Sequence, residues 1–269
     1  MKRFRLGIIP LILAGLFMAY QYFSSEKVSN PVTGRKARVA LSSEQEETLG
    51  LQSFREVMAQ SEVVTSGPEH ELIVKVAKRL AEATGDDARD FKWQVSVVRN
   101  PQANAFCLPG GKIVVFTGIL PYAKTEAGLA TVMGHEMAHA VARHGSQRLL
   151  RSSMAQTLMA GASFSMSDLE PQQRYAVMAA LGAGAQYGVL LPFSRVHESE
   201  ADEMGLIYMA RAQYDPRESI AFWERMSESG GRGPPEFMST HPAHGTRIEH
   251  LRAAMPKAVA EYERARPLK

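Results

Sequence analysis

The chain has one cysteine, Cys107, in 269 residues. It can therefore form no intramolecular disulfide and no Cys-rich zinc or iron–sulfur site. Any metal must be held by His, Asp and Glu. Charge of one sign is also scarce: the net charge is +3, and the basic residues are scattered rather than blocked. That pattern provides no nucleic-acid-sized surface, so nucleic acid is excluded as a partner. There is no internal repeat and no low-complexity segment. With 45% hydrophobic and 22% charged residues, the composition is that of a folded globular protein with one sizeable core or two small ones.

Lys2, Arg3 and Arg5 precede the apolar run Gly7 to Tyr20, which is the layout of an export signal. The run lies near the lower limit for a bilayer span, about 17 residues. No Ala-x-Ala-like cleavage site follows it, and no cysteine stands at its end for lipid attachment. Residues 1–23 are therefore expected to be an uncleaved signal-anchor, with a cleaved peptide as the alternative. A buried N-terminal helix would leave three cations at one end unexplained. The positive-inside rule keeps the N-terminus in the cytoplasm and exports the rest. Residues 24–42 are polar and irregular and read as a linker, leaving 43–269 as the folded domain.

Helix and strand signals alternate through that domain. Ser43 with Glu46 resembles a capping box, and Leu51, Phe54 and Met58 follow at helical spacing. Ile73, Val76, Ala77 and Leu80 mark a second amphipathic helix ending near Gly85. Phe91, Trp93, Val95 and Val97 alternate with polar residues, and Ile113 to Phe116 reads as another strand after Pro109-Gly110-Gly111. A small antiparallel sheet is expected over 91–120, with helices from Thr125 onward. The fold class is α+β, mainly helical. The charge-free stretch Tyr175 to Phe193 is long enough to raise a second membrane span. Its three glycines, Gln186 and Pro192 favour a buried helical hairpin packed on the helix that carries the motif described next.

Residues 131–144 read TVMGHEMAHAVARH and contain H-E-x-x-H as His135, Glu136 and His139. Four-residue spacing puts both imidazoles on one face of a helix, one turn apart, so that two nitrogens can reach one zinc ion. Glu136 leaves that face by about 100°. From there it can touch a zinc-bound water without being a ligand, which suits a general base. The metzincin continuation would need Gly at 142 and His at 145, where the chain has Ala142 and Gly145. His144, at the wrong spacing, reads as a cation at the helix end. Downstream, SRVHESEADEMG offers Glu198 and Asp202 on one helix face. A glutamate completing a His-His-Glu site, with a carboxylate one turn on to orient an imidazole, is the glutamate-ligand zincin (gluzincin) arrangement. Glu200 and Glu203 compete for the ligand role, but only Glu198 has Asp202 one turn C-terminal.

His135-Glu136-x-x-His139 followed by Ser194-Arg195-x-x-Glu198-x-x-Ala201-Asp202 resembles metallopeptidase family 48. Asn30-Pro31-Val32-Thr33-Gly34-Arg35, Asn104-Ala105-Phe106 with Leu108-Pro109-Gly110-Gly111, Phe116-Thr117-Gly118 and Thr240-His241-Pro242 with Arg247-Ile248 extend the resemblance from residue 30 to about 250. They point to its single-anchor branch of quality-control proteases. The resemblance implies one zinc ion on His135, His139 and Glu198, with Glu136 as base. It also implies Asp202 and Arg195 behind the ligands. Asn104, Ala105 and Phe106 would bind substrate backbone by β-addition. His241 would sit over the cleft, either stabilising the oxyanion or capping the zinc in a latent state. The implied protein is a zinc metalloendopeptidase on the periplasmic side of the inner (cytoplasmic) membrane, single-pass, cutting misfolded or damaged envelope proteins. The rival is a chaperone or assembly factor on a latent protease fold. A prenyl-protein processing enzyme would need more apolar segments than this chain has.

Overall fold

The computed structural model describes residues 7–186, 190–228, 236–241 and 246–265. Lys2, Arg3 and Arg5, on which the anchor's orientation rests, lie outside the described residues, as does Pro242 of the C-terminal motif. The chain divides into two units. The larger comprises Asn30–Gly34, Ser43–Arg143 and His197–Lys269; the smaller comprises Met1–Ser29, Arg35–Ser42 and His144–Val196.

In the larger unit, α2 (Ser43–Ala59) starts with Glu44 and Glu46 in its first turn, where the positive helix end favours carboxylates. Helix α3 (Pro68–Thr84) buries Ile73, Val76, Ala77 and Leu80, the stripe read from spacing, and ends at Gly85 with φ 50°. A four-stranded sheet runs in the order β3 (Val63–Val64), β4 (Gln94–Val98), β6 (Lys112–Phe116), β5 (Ala105–Leu108). The β3–β4 and β5–β6 pairs are antiparallel, as expected of a small antiparallel sheet, whereas the central β4–β6 pair is parallel. The chain passes through residues 99–104 to lay β5 one place beyond. It then reverses at Gly110 and Gly111 (φ 79° and 89°), so β6 fills the gap in the direction of β4. Strand β5 is left at the sheet's edge.

After α4 (Leu120–Ala123), Thr125 caps α5 (Glu126–Val141) by accepting the N–H of Gly128 at 2.9 Å. Helix α5 is buried almost all round, including Leu129, Val132, Met133, Met137 and Ala138, so it forms the centre of the core. Helix α8 (Leu191–Arg211) enters this unit at His197 and crosses α5 at a pair of glycines. A Cβ on Gly134 would lie 3.3 Å from the Gly205 carbonyl oxygen, and one on Gly205 would lie 3.1 Å from the His135 nitrogen. Two missing side chains thus let the backbones close up and bring Glu198 and Asp202 to His135. Gly205→Val should cost about 1–3 kcal/mol through overpacking and weaken metal binding, read by thermal unfolding and zinc titration. Unchanged values for both would remove the crossing from the account. Helices α9 (Glu218–Glu228), α10 (Glu236–Thr240) and α11 (Arg247–Ala265) complete the unit. Trp223, Phe222 and Phe237 are fully buried.

In the smaller unit, β1 (Glu26–Ser29) and β2 (Lys36–Val39) pair antiparallel. Most of the expected irregular linker is therefore a hairpin, whose short polar strands carry too little apolar alternation to register as sheet. Its turn belongs to the larger unit. There Asn30 Oδ1 accepts the N–H groups of Val32 and Thr33 at 2.9 Å, and Thr33 Oγ1 donates to Glu200 at 2.6 Å. Helix α1 (Ile8–Ser24) lies along α6 (His144–Ser165), and a Cβ on Gly161 would run into Ala14. The other side of α1 exposes Ile8, Ile9, Leu13, Leu16, Phe17 and Phe23. Among the described residues, no helix is long and apolar enough to cross a membrane. His144 does not end α5 as a surface cation; it opens α6 and is buried, because Arg143 (φ 57°) breaks the helix first. Helix α7 (Pro171–Ala185) does form a hairpin with α6, but it buries none of its residues, and Tyr175 is 78% exposed. The hairpin is not the buried layer that its lack of charge suggested, and α6 packs along α1 instead.

Candidate metal centre

His135 and His139 project from α5 one turn apart, with their Nε2 atoms 3.1 Å from each other. From α8, the Glu198 carboxylate reaches His135 Nε2 at 3.3 Å through Oε2 and His139 Nε2 at 3.4 Å through Oε1. His241, just past α10, places Nδ1 3.1 Å from Glu198 Oε2 and 3.3 Å from His135 Nε2. One donor atom from each of the four lies within 4.8 Å of the others. Three imidazole nitrogens and a carboxylate at this spacing leave lone pairs aimed at one another, which a cation satisfies. The N/O donor set suits zinc.

The surroundings orient these donors. His135 Nδ1 lies 2.9 Å from Asp202 Oδ1, which sets the proton on Nδ1 and the lone pair on Nε2. Asp202 in turn accepts from Arg247 Nη2 at 2.7 Å, and Arg247 Nη1 lies 3.7 Å from Glu198 Oε2. The guanidinium is buried 3.3 Å from the centroid of the Trp223 ring. His241 stacks on Phe237 with ring centroids 4.8 Å apart, and its backbone N–H donates to the Phe237 carbonyl at 2.9 Å. Its Nε2 sits 3.3 Å from Glu136 Oε1, an oxygen that is buried and makes no hydrogen bond among the described residues.

Burial and charge separate the three carboxylates. Burial pushes Glu136 up, against the pull of His241 and His135. Burial would also raise Glu198, but hydrogen bonds from His135 and His241 outweigh it and hold the group below the usual carboxylate range. Asp202 is likewise held low, burial being outweighed by Arg247 and His135. Burial lowers His135, yet its hydrogen bonds to Asp202 and Glu198 prevail and carry it up to about 9. Two carboxylates are thus kept ionised and one is poised to take a proton, a separation that suits a division into ligand support and base.

The structure therefore brings together His135, Glu136, His139, Glu198, Asp202 and His241. The competing carboxylates face elsewhere: Glu200 accepts from Thr33, and Glu203 pairs with Lys257 at 2.8 Å. Arg195 is exposed in the smaller unit, so the arginine behind the donors is Arg247. Nothing in the spacing marked Arg247 for that place; its sole signal was its position in the C-terminal motif. Ala105 and Phe106 lie in β5, which packs on α5 and has no strand on its outer side among the described residues; Asn104 leads into it. Cys107 on the same strand has its thiol pushed well up by burial, so it is no nucleophile.

Fold and site together define a metal-dependent peptidase. The chain belongs to Peptidase family M48, whose model matches residues 69–255. It is 34% identical over 267 residues to the mitochondrial metalloendopeptidase OMA1 of Schizosaccharomyces pombe, covering 97% of this chain and 75% of that one. Identity to the Saccharomyces cerevisiae protein of that name is 34% over 281 residues, covering 96% and 76%. The beta-barrel assembly-enhancing protease of Escherichia coli is 26% identical over 235 residues, covering 86% of this chain and 48% of that one. The chain is a metalloendopeptidase, and polypeptides are its substrates.

Proposed function

We propose that this chain is a membrane-tethered, zinc-dependent endopeptidase that cuts misfolded or damaged envelope proteins. The observation that carries the reading is the convergence of four donor atoms within 4.8 Å beside the unbonded, buried Glu136 oxygen. His135, His139 and Glu198 hold the ion, which when bound supplies Lewis acidity and brings the pKa of water in its shell to about 7. Glu136 takes the proton of the attacking water. Its raised proton affinity suits it to take that proton, which it then gives to the more basic leaving amine. Asp202 holds the His135 tautomer, and Arg247 holds Asp202. An extended substrate segment adds to the outer edge of β5 through the backbone at Asn104, Ala105 and Phe106, which favours unfolded chains over any one sequence.

The apolar face on α1 supports a tether over residues 1–23, with residues 43–269 carrying the peptidase. In this reading the protein is single-pass in the inner membrane with its catalytic part on the periplasmic side. A second reading is favoured by His241 lying among the donors. Four protein ligands make a closed zinc site, whereas catalysis needs an open position. With His241 in place the chain is latent, and in that state it would serve as a chaperone or assembly factor. Moved aside, His241 can hydrogen-bond the oxyanion.

Casein degradation by the full chain should stop on chelation and return with one equivalent of zinc. Chelation should also lower the melting temperature, because ligands on α5 and α8 are tied through the ion. Cutting that survives complete zinc removal sinks the reading. A melting temperature that does not move means that the ion does not bridge the helices.

A further inference from the structure

The smaller unit contains a cavity of about 1310 Å³, above the roughly 300–1,000 Å³ common for small-ligand sites. Leu11 and Met18 of α1, Met154, Leu158 and Met159 of α6 and Leu181 of α7 give it apolar walls. The charged part of the lining has one sign: Lys27, Arg35, Lys36 and Arg38 from the β1–β2 hairpin, and Arg151 from α6, with no Asp or Glu among the described lining residues. Lys27 and Arg38 are directly opposed across the two strands, an arrangement of like charges that destabilises a strand pair unless an anion relieves it. Arg38 is committed to the backbone at the end of α1, donating to the Tyr22 and Ser25 carbonyls at 2.8 and 2.7 Å. Lys27 and Lys36 have no carboxylate partner among the described residues.

We propose that this cavity binds an anionic amphiphile, a phosphate-bearing lipid whose acyl chain lies among the Met and Leu side chains and whose headgroup rests on Lys27 and Lys36. Flexible thioether side chains adapt to a chain without fixed shape, and lysine ammoniums bind phosphate as point charges. A polypeptide occupant would bury backbone N–H and C=O groups against apolar walls that cannot pair them. A free anion would leave the apolar part of the cavity unused. The site lies wholly within the smaller unit and does not rest on the zinc reading.

The test uses the full chain in a nonionic detergent, titrated calorimetrically with dioctanoyl phosphatidic acid, dioctanoyl phosphatidylcholine and inorganic phosphate. The expected result is saturable, one-to-one binding of the phosphatidic acid, at least ten-fold tighter than either of the others. Lys27→Gln combined with Lys36→Gln should weaken that binding by about ten-fold or more. Gly184→Trp, where an added Cβ meets nothing within 4 Å and the new ring grows from the cavity lining, should abolish it. Both variants should cut casein as the parent does, and their melting temperatures report on folding; the lysine pair keeps the test decisive if the tryptophan variant fails to fold. Equal affinity for phosphatidylcholine would overturn the headgroup assignment, and equal affinity for inorganic phosphate would overturn the acyl site. Displacement of the lipid by an apolar peptide, lost in Gly184→Trp, would make the cavity a polypeptide site and overturn the proposal as well.

Discussion

Glu136→Gln should lower the rate of casein cleavage by about 100- to 10,000-fold while zinc content and melting temperature hold. Glutamine keeps the shape of glutamate and removes only the ability to accept a proton. The affected oxygen, Oε1, is buried and has no hydrogen bond to lose among the described residues, and Glu136 stands beside the donor cluster rather than within it. Burial already works against its charged form, so a neutral amide there carries no desolvation penalty for charge. Stability should stay level or rise slightly. That combination separates a base from a ligand, since a lost ligand would take zinc with it. If the variant cuts as well as the parent, Glu136 is not the base and the proton path proposed above is wrong. If neither cuts while zinc is bound, the latent state with His241 among the donors becomes the resting form, and His241→Ala should release activity.

The second large effect is on stability. Arg247→Leu should destabilise the chain by about 3–5 kcal/mol, a fall of roughly 10 °C in melting temperature for a protein of this size. Arg247 is 4% exposed and 2.7 Å from Asp202, with Glu198 within 4 Å of its other nitrogen. Removing it takes the one fixed cation from two buried carboxylates, leaving Asp202 to His135 and Glu198 to the surrounding imidazoles. The loss is larger than the worth of the ion pair itself, because the charges left behind cannot reach water. Zinc affinity should fall by about 10- to 100-fold, since the residue holding the His135 tautomer is no longer fixed. Arg247→Lys should rescue only part of this, because one ammonium cannot bond Asp202, approach Glu198 and cover the Trp223 ring together. Thermal unfolding and zinc titration read both effects. A melting temperature within about 2 °C of the parent would show that the carboxylates are compensated some other way.

Much of this arrangement could be read before any coordinates. Local patterns carried it. The i, i+4 histidines, the Asp202 that singles out Glu198 from Glu200 and Glu203, the Ile73–Leu80 stripe and the alternation around Val95 each follow from a period within one element. Features set by closure between distant segments carried no such signal. Arg247 lies 45 residues beyond Asp202 in the chain and shares no spacing with it. The parallel β4–β6 pair depends on which side of the sheet β5 takes, which no alternation encodes. The absence of charge from Tyr175 to Phe193 means burial only if something covers the helix, and α7 is left exposed. His144 was misplaced for a different reason: the residue before it takes a left-handed conformation that ends the helix early.

The path of the backbone has one more consequence. It leaves the peptidase unit after Arg143 and returns at His197, so residues 144–196 are a guest threaded into a host. The proposed ligands His139 and Glu198 stand at the two junctions, and a metal joining them would clamp the host whatever lies between. Lengthening such an excursion is cheap, about 0.6 kcal/mol for each doubling. Selection is therefore free to rewrite the guest, changing which surface the enzyme lives on and what it meets there, while the chemistry stays as it was.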